Sequence, residues 1–240
     1  MKPVTTETVN DNGSWSIESR KNGKLHGKCE RAYSDGSWEI GNYRDGKLQG
    51  KWEQVNADGS WRVESWRNDK KHGKWERVNS DGSWEIETYK DNKLHGRRER
   101  VFSNGSWEVE HWKNDELHGR REWIDSDGSW FLETRKDGKL HGKWERVNPD
   151  GSWEIENWKD GKPHGKFEWV SSDGSWCIET RKHGKLHGKW ELVDPDGSWI
   201  VGNWRDGKSH GRAEQVKADG SWFVQTFNNG DLVSRETSED

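Results

Sequence analysis

Aliphatic side chains are scarce in this chain. Leu, Ile, Val and Phe together number 35 among 240 residues. That is too few for a conventional two-layer domain built around one large core. Long apolar runs are missing as well, and without a stretch of about 18 residues no membrane-spanning helix is expected. The first residues, Met1 to Glu7, contain no apolar segment, so no secretory signal is expected either. Two cysteines, Cys29 and Cys177, are too few for a disulfide scaffold or a zinc site. Net charge is small: 40 basic against 44 acidic residues leave −4. This balance argues against a nucleic-acid binder or a polybasic membrane clamp. From these absences a cytoplasmic location is expected. Disorder, which the low aliphatic content would otherwise suggest, does not fit 20 tryptophans and a near-neutral charge.

The tryptophans are periodic. The triplet Gly-Ser-Trp recurs with its Trp at Trp15, Trp38, Trp61, Trp84, Trp107, Trp130, Trp153, Trp176, Trp199 and Trp222. The spacing is 23 residues throughout, giving ten copies without an insertion. With that Trp as position zero, the averaged unit reads W-E-I-E-x-W-K-D-G-K-L-H-G-K-W-E-R-V-N-x-D-G-S. Periods of this length mark arrays of small structural units rather than separate domains. Residues 1–240 are therefore expected to form one array. In it, 1–12 would be an N-terminal capping strand, 13–234 ten hairpin repeats, and 235–240 a polar tail.

Each unit carries two turn signals. Lys159-Asp160-Gly161-Lys162 suits a two-residue type I′ hairpin. Asn148-Pro149-Asp150-Gly151 suits a type I turn closed by a glycine bulge, a three-residue loop. A Gly-containing turn every ten or so residues excludes helix. Neighbours in a strand alternate faces and cross-strand partners share one. The first turn is expected to pair position five with ten, three with twelve and one with fourteen. The second pairs seventeen with the next position zero. One face, A, then holds the Trp at zero, the aliphatic at two (Ile17, Ile40, Val63, Ile86, Val109, Leu132, Ile155, Ile178, Val201, Val224) and Val at seventeen. The opposite face, B, holds positions five, ten, twelve and fourteen. The expected fold is all-β, a single-layer antiparallel sheet of tandem hairpins forming an elongated twisted ribbon of roughly 20 strands.

At Gly41-Asn42-Tyr43-Arg44-Asp45-Gly46-Lys47-Leu48-Gln49-Gly50-Lys51-Trp52-Glu53 the sequence resembles a MORN repeat. The unit length, the aromatic followed by x-(Asp/Asn)-Gly-Lys, the His-Gly and the closing Asp-Gly all match in register. The Gly-x-Trp ending, as in Gly73-Lys74-Trp75, is most similar to bacterial variant repeats labelled antitoxin-like. The resemblance spans about residues 13–234 and implies a single-layer sheet of hairpins serving as a scaffold or interaction module, sometimes at membranes. The family's Tyr-x-Gly opening is mostly Glu-x-Glu here, with Gly only at Gly41 and Gly202.

Catalytic constellations are absent: no nucleophile elbow, phosphate loop or Cys-His set is present. Carboxylates at positions one, three and fifteen recur in nearly every copy and read as a solvated charge ladder. No enzyme activity, cofactor or metal is expected. His fills position eleven in eight copies (His26, His72, His95, His118, His141, His164, His187, His210), and equivalent positions two strands apart are too distant to share an ion. The pair His111 and His118, expected opposite one another, supplies only two ligands. Positions five and fourteen vary from copy to copy and are rich in Trp, Tyr and Arg, the residues that dominate interface hot spots. The candidate partner-binding residues are Trp52, Trp66, Trp75, Trp112, Trp144, Trp158, Trp190 and Trp204, and the ten Gly-Ser-Trp tryptophans are a structural ladder. The expected function is a non-enzymatic scaffold that binds a protein. A glycan-binding protein with repeated aromatic sites, or a self-associating structural array, are the alternatives. Nucleic acid is not expected as a partner, and the charge balance does not support membrane-surface binding.

The ribbon expectation is tested by far-ultraviolet circular dichroism and small-angle scattering. β structure without helix and an elongated particle are expected. A maximum dimension below roughly 55 Å, that of a compact domain of this length, would exclude it.

Overall fold

The computed structural model describes residues 2–238; Met1, at the start of the expected capping segment, and Glu239 and Asp240, in the expected polar tail, lie outside the described residues. All 24 strands are antiparallel members of one sheet, and there is no helix among the described residues. The count exceeds twenty for two reasons. A strand Val4–Val9 precedes the first repeat. Three of the nine-residue strands are also broken at a histidine, His95, His118 or His210, giving pairs such as Lys93–Leu94 and Gly96–Val101. The last strand, Asp231–Thr237, takes in the first three residues of the expected tail. The chain divides into two compact units, Met1–Gly119 and Arg120–Asp240. Both are built from the same hairpins.

The residues dictate the hairpin directly. Asp160 and Gly161 both adopt positive φ, 51° and 78°, as a type I′ turn requires, and Lys159 pairs with Lys162 across it. The other connection closes as a three-residue loop: Asn148 N–H donates to the Ser152 carbonyl at 2.8 Å, and Gly151 N–H to the Asn148 carbonyl at 3.0 Å. Inside it, Asp150 Oδ1 accepts from the backbone N–H and the hydroxyl of Ser152 at 2.9 and 2.6 Å. The Asp-Gly-Ser of the repeat is thus a hydrogen-bonded loop, and that pair of donors holds the Asp150 carboxyl below its usual range.

Register inside the hairpin departs from the expected pairing. Position five does pair with ten, as in Trp158 with Pro163, and seventeen with the next zero, as in Val170 with Trp176. But position three faces fourteen, not twelve, and position one faces sixteen, not fourteen: Glu156 lies opposite Phe167 and Glu154 opposite Trp169. The same shift occurs between Glu18 and Arg20, Gly41 and Tyr43, Glu64 and Trp66, Glu133 and Arg135, and Glu179 and Arg181. The cause is a bulge at His-Gly-Lys, where three residues face the single residue at position four. Its glycine takes φ near 100°, as at Gly142 (103°) and Gly188 (100°), which an L side chain resists. A Cβ on this glycine would meet the position-four side chain, Thr134 at 3.3 Å in one copy and Ser65 at 3.1 Å in another. The glycine is there for the bulge. Because the bulge adds two residues, an even number, side-chain parity survives and the two faces keep their expected occupants.

The histidines at position eleven tie one hairpin to the next. His26 Nδ1 accepts the backbone N–H of Asp45, in the turn of the following repeat, at 3.4 Å, and the same bond joins His141 to Asp160 and His187 to Asp206. That turn also donates back to the position-ten carbonyl, as in Gly46 N–H to Leu25 at 2.8 Å and Gly161 N–H to Leu140 at 2.9 Å. The turn tips are thereby part of the ladder.

With a single layer there is no deep core. No side chain among the described residues is below 2% exposure, and the Gly-Ser-Trp tryptophans are half-buried, rising to 37% exposure at Trp15 and 41% at Trp222. Replacing Trp107 by Ala should therefore cost about 2–4 kcal/mol, short of a fully enclosed aromatic. The same change at Trp222 should cost less than about 1.5 kcal/mol, since an end repeat has one neighbour. Urea unfolding of both variants measures the difference, and equal costs would exclude nearest-neighbour stacking.

Candidate functional site

The two faces bury different chemistry. On face A a basic residue at thirteen reaches the Glu at fifteen of its own strand, as in Lys28–Glu30 and Lys51–Glu53, both at 2.6 Å. The Lys side chains there stay more than half exposed, so this row is a solvated charge ladder of small energetic weight.

On face B the carboxylate at position three is buried, contrary to the expectation of a solvated ladder. Glu64, Glu87, Glu110, Glu133 and Glu179 are between 3% and 9% exposed. Each is held by the residue two places along, at position five. Trp66 Nε1 donates to Glu64 at 3.1 Å and Trp112 Nε1 to Glu110 at 3.0 Å. The Tyr89 hydroxyl donates to Glu87 at 2.8 Å, and Arg20 and Arg135 donate to Glu18 and Glu133 at 2.8 and 2.7 Å. Arg181 does the same for Glu179. Position five thus varies among Arg, Tyr and Trp, all of them hydrogen-bond donors, wherever position three is Glu. A buried carboxylate needs a donor, and any of the three serves.

Three copies lack the glutamate, and two of them keep a donor, Tyr43 or Trp204, at position five. At Gly41 the indole of Trp52 fills the missing space, and a Cβ on Gly41 would lie 2.6 Å from its Cδ1. Gly202 lies opposite Trp190, and a Cβ on it would lie 3.5 Å from that of Ala213. In the last repeat Gln225 replaces Glu, and Phe227, which has no donor, stands at position five. The signal that would have revealed this pairing was the joint behaviour of positions three and five across the ten copies.

Electrostatics separates the carboxylates. Arg31 and Arg20 hydrogen-bond Glu18 and hold its carboxyl below the usual range. Glu64 and Glu156 are pushed up by burial, each having a neutral Trp at position five and an aromatic, Trp75 or Phe167, at fourteen. Arg98 at position fourteen instead reaches Glu87 at 3.2 Å and Glu110 at 3.5 Å.

The eight candidate tryptophans all lie on face B, in different settings. Trp52 is buried, at 8% exposure, under the Arg62 guanidinium at 4.8 Å. Trp66 and Trp75 make a tilted ring contact at 5.2 Å, and Trp75 another with Tyr89 at 5.2 Å, with Lys71 Nζ 3.9 Å above Trp75. Trp75 also donates to the Ser65 carbonyl at 3.1 Å. Trp112 is committed to Glu110, and Trp158 stands beside Glu156 with its buried indole nitrogen lacking a well-formed hydrogen bond. Trp144 lies between Glu133 and Glu156, and Trp190 between Glu179 and Gly202. Trp204 pairs with Ser209. All but Trp52 are half-buried.

An outer row on the same face, at positions one and sixteen, changes character along the chain. In the first unit it is charged: Arg31 bridges Glu18 and Glu39 at 2.8 Å each, and Arg100 pairs with Glu108. In the second unit it holds two apolar stretches, separated by the facing Arg146 and Glu154. Trp123 stacks on Phe131 at 4.5 Å and 5°, and Trp169, Cys177, Leu192 and Ile200 follow one another across four strands. This row carried no weight in the sequence pattern. Cys29 and Cys177 are free and buried, and burial pushes the Cys177 thiol up to about 11, so both are poor nucleophiles. His118 N–H donates to the His111 carbonyl at 2.9 Å, which makes the two cross-strand neighbours as expected. Among the described residues no group of three or more metal-ligating side chains forms.

The family model that describes the MORN repeat matches at residues 21–38, 65–74, 157–175 and 201–222. Repeats of this kind are non-enzymatic modules that generally bind proteins or membranes. No curated protein sequence matches the chain. Among solved structures it is similar to the SAS-4 (dCPAP) TCP domain of Drosophila melanogaster, in complex with a proline-rich motif of Ana2 (dSTIL). The identity is 15%, over 84% of this chain and 90% of that one, at a TM-score of 0.31. No helix among the described residues is long and apolar enough to cross a membrane.

The carboxylate row predicts opposite pH responses. Glu64, raised by burial, costs stability when ionised, a cost present above its folded value and relieved as pH falls through it. Glu18, lowered by Arg31, contributes stability above its unfolded value that is lost as pH falls through the folded one. At pH 7 Glu64→Gln should change stability by no more than about 0.5 kcal/mol, because Gln still accepts from Trp66. Glu18→Gln should cost about 1 kcal/mol, a loss that disappears in acid. Denaturant unfolding from pH 3 to 8 measures both, and a larger loss in Glu64→Gln than in Glu18→Gln would refute the ranking.

Proposed function

We propose that the chain is a non-enzymatic repeat scaffold that binds a protein partner along face B of its sheet. The match to MORN repeats supports a binding module. The Gly-x-Trp endings support the bacterial antitoxin-like variant within that family. The observation that carries the choice of face is the outer row of the second unit. In the first unit positions one and sixteen are polar, with ion pairs such as Arg31–Glu39 and Arg100–Glu108 across strands. At Trp169, Cys177, Leu192 and Ile200 these are replaced by apolar side chains that no ion pair or buried carboxylate requires. Trp144, Trp158, Trp190 and Trp204 share face B of the second unit with this row; on face B of the first unit the candidates are Trp66, Trp75 and Trp112, with Trp52 contributing least because it is buried. Tryptophan at a surface of this kind supplies large contact area at small entropic cost.

Position sixteen gives a test that leaves the fold in place, because Arg occupies it in four sister repeats, at Arg31, Arg77, Arg100 and Arg146. Trp169→Arg with Leu192→Arg should therefore fold normally. Its affinity for proteins captured by the wild-type chain should fall by at least about tenfold, as loss of a hot spot does. A folded double variant with unchanged capture would move binding off this face. A wild-type chain that retains glycans on an array and captures no protein would favour the sugar-binding alternative.

A further inference from the structure

The turn at Lys182-His183-Gly184-Lys185 differs from its nine sisters, which hold Asp or Asn where His183 stands. At Asp45, Asp91, Asn114, Asp160 and Asp206 the side chain lies beside the Nδ1 of the preceding repeat's histidine. Asp45 Oδ1 lies 3.2 Å from His26 Nδ1, Asp160 Oδ1 3.2 Å from His141 Nδ1 and Asp206 Oδ1 3.3 Å from His187 Nδ1. The turn therefore aims its seventh-position side chain at an imidazole. In this one repeat it aims a second imidazole. The rings of His164 and His183 stand 5.0 Å apart between centroids, at 60° to one another.

Nothing in the turn demands this histidine. It takes φ 52° at His183, the same left-handed conformation the sister turns give to Asp160 (51°) and Asn114 (53°). Histidine tolerates that region, but Asn and Asp suit it at least as well. It also leaves out the carboxylate oxygen that the sister aspartates hold near Nδ1. The only hydrogen bond in its place is the long one from the His183 backbone N–H to His164 Nδ1, at 3.4 Å.

We propose that His164 and His183 form a two-imidazole site for a late first-row divalent cation, with Zn²⁺ the reference ion. Imidazole nitrogen suits zinc, copper and nickel. Two ligands on a tetrahedral zinc, with Zn–N near 2.0–2.1 Å, lie about 3.4 Å apart. The sister turns show that this loop presents a donor atom at that separation from Nδ1. The metal takes the lone pair of His164 Nδ1, giving up the long backbone hydrogen bond, and a ring nitrogen of His183. Water fills the remaining positions, as His183 is exposed and His164 half-buried. The site sits at the turn edge of the second unit, away from the carboxylates of face B. The reading is independent of partner binding on that face.

The sister repeats supply replacements that the fold already accepts. Asn stands at the turn position opposite His95 and His210, as Asn114 and Asn229, and Gln49 stands at the position of His164 in another repeat. Isothermal titration of the full chain with Zn²⁺ alone should show saturable binding of about one ion per chain at this site, and His183→Asn and His164→Gln should each weaken it by at least about tenfold. Circular dichroism should be unchanged in both variants. Wild-type protein that binds no Zn²⁺ saturably would overturn the site. Binding that survives either substitution at full strength would do the same, since the ion would then lie at another histidine.

Discussion

A carboxylate buried against one face of a single-layer sheet must find a donor, and the arrangement of face B follows from that requirement. The donor comes from two residues further along the same strand, where the side chain points the same way. Trp66, Tyr89, Trp112 and Arg135 satisfy Glu64, Glu87, Glu110 and Glu133 in turn. Removing the donor would leave the buried carboxylate unsatisfied, at a cost of about 1–3 kcal/mol or more. Where the glutamate is absent, the donor requirement lapses and space becomes the constraint, as at Gly41 beneath Trp52.

The single layer explains why the rest of the molecule is so repetitive. With no second sheet to cover either face, each repeat is shielded by its neighbours' side chains. Face A solves this with one ladder of half-buried tryptophans over aliphatics, flanked by Lys–Glu pairs. Face B solves it with carboxylates, donors and rings in several combinations. The edges of the hairpins are closed by the same economy of parts: the histidine at position eleven and the turn of the following repeat hold each other, so the turn tips are not loose. That edge row carries one departure, at His183, and face B carries another, the apolar outer row of the second unit. In an array this regular, a residue that breaks the pattern without a structural reason points to something outside the fold.

Variation alone was a poor guide to binding. Positions five and fourteen differ most between copies and so attract attention as a recognition strip, yet at position five the variation runs among donors that a buried carboxylate accepts equally. The outer row, by contrast, exchanges ion pairs for Trp169, Leu192 and Ile200 with no internal partner that requires them. Physical equivalence has to be subtracted before residue differences are read as selection by a partner.

The repeat, the all-β class, the two turn types and the occupants of each face were legible in the residues, because turn chemistry and side-chain parity are local properties. Asp160-Gly161 and Asn148-Pro149-Asp150-Gly151 each specify their own loop, and alternation carries the faces from one turn to the next. The register between the turns was not legible. The bulge at His-Gly-Lys adds two residues to one strand, and an even insertion leaves parity unchanged, so the pattern looks the same with or without it. Nor was the burial of position three. Glutamate reads as solvent-facing on composition, and only when Trp66 closes over Glu64 while Trp75 and Lys71 pack beside it does the carboxylate lose water. Contacts of that kind join residues from different strands, and the tertiary structure alone decides them, because burial depends on every neighbour at once while a turn depends on four consecutive residues.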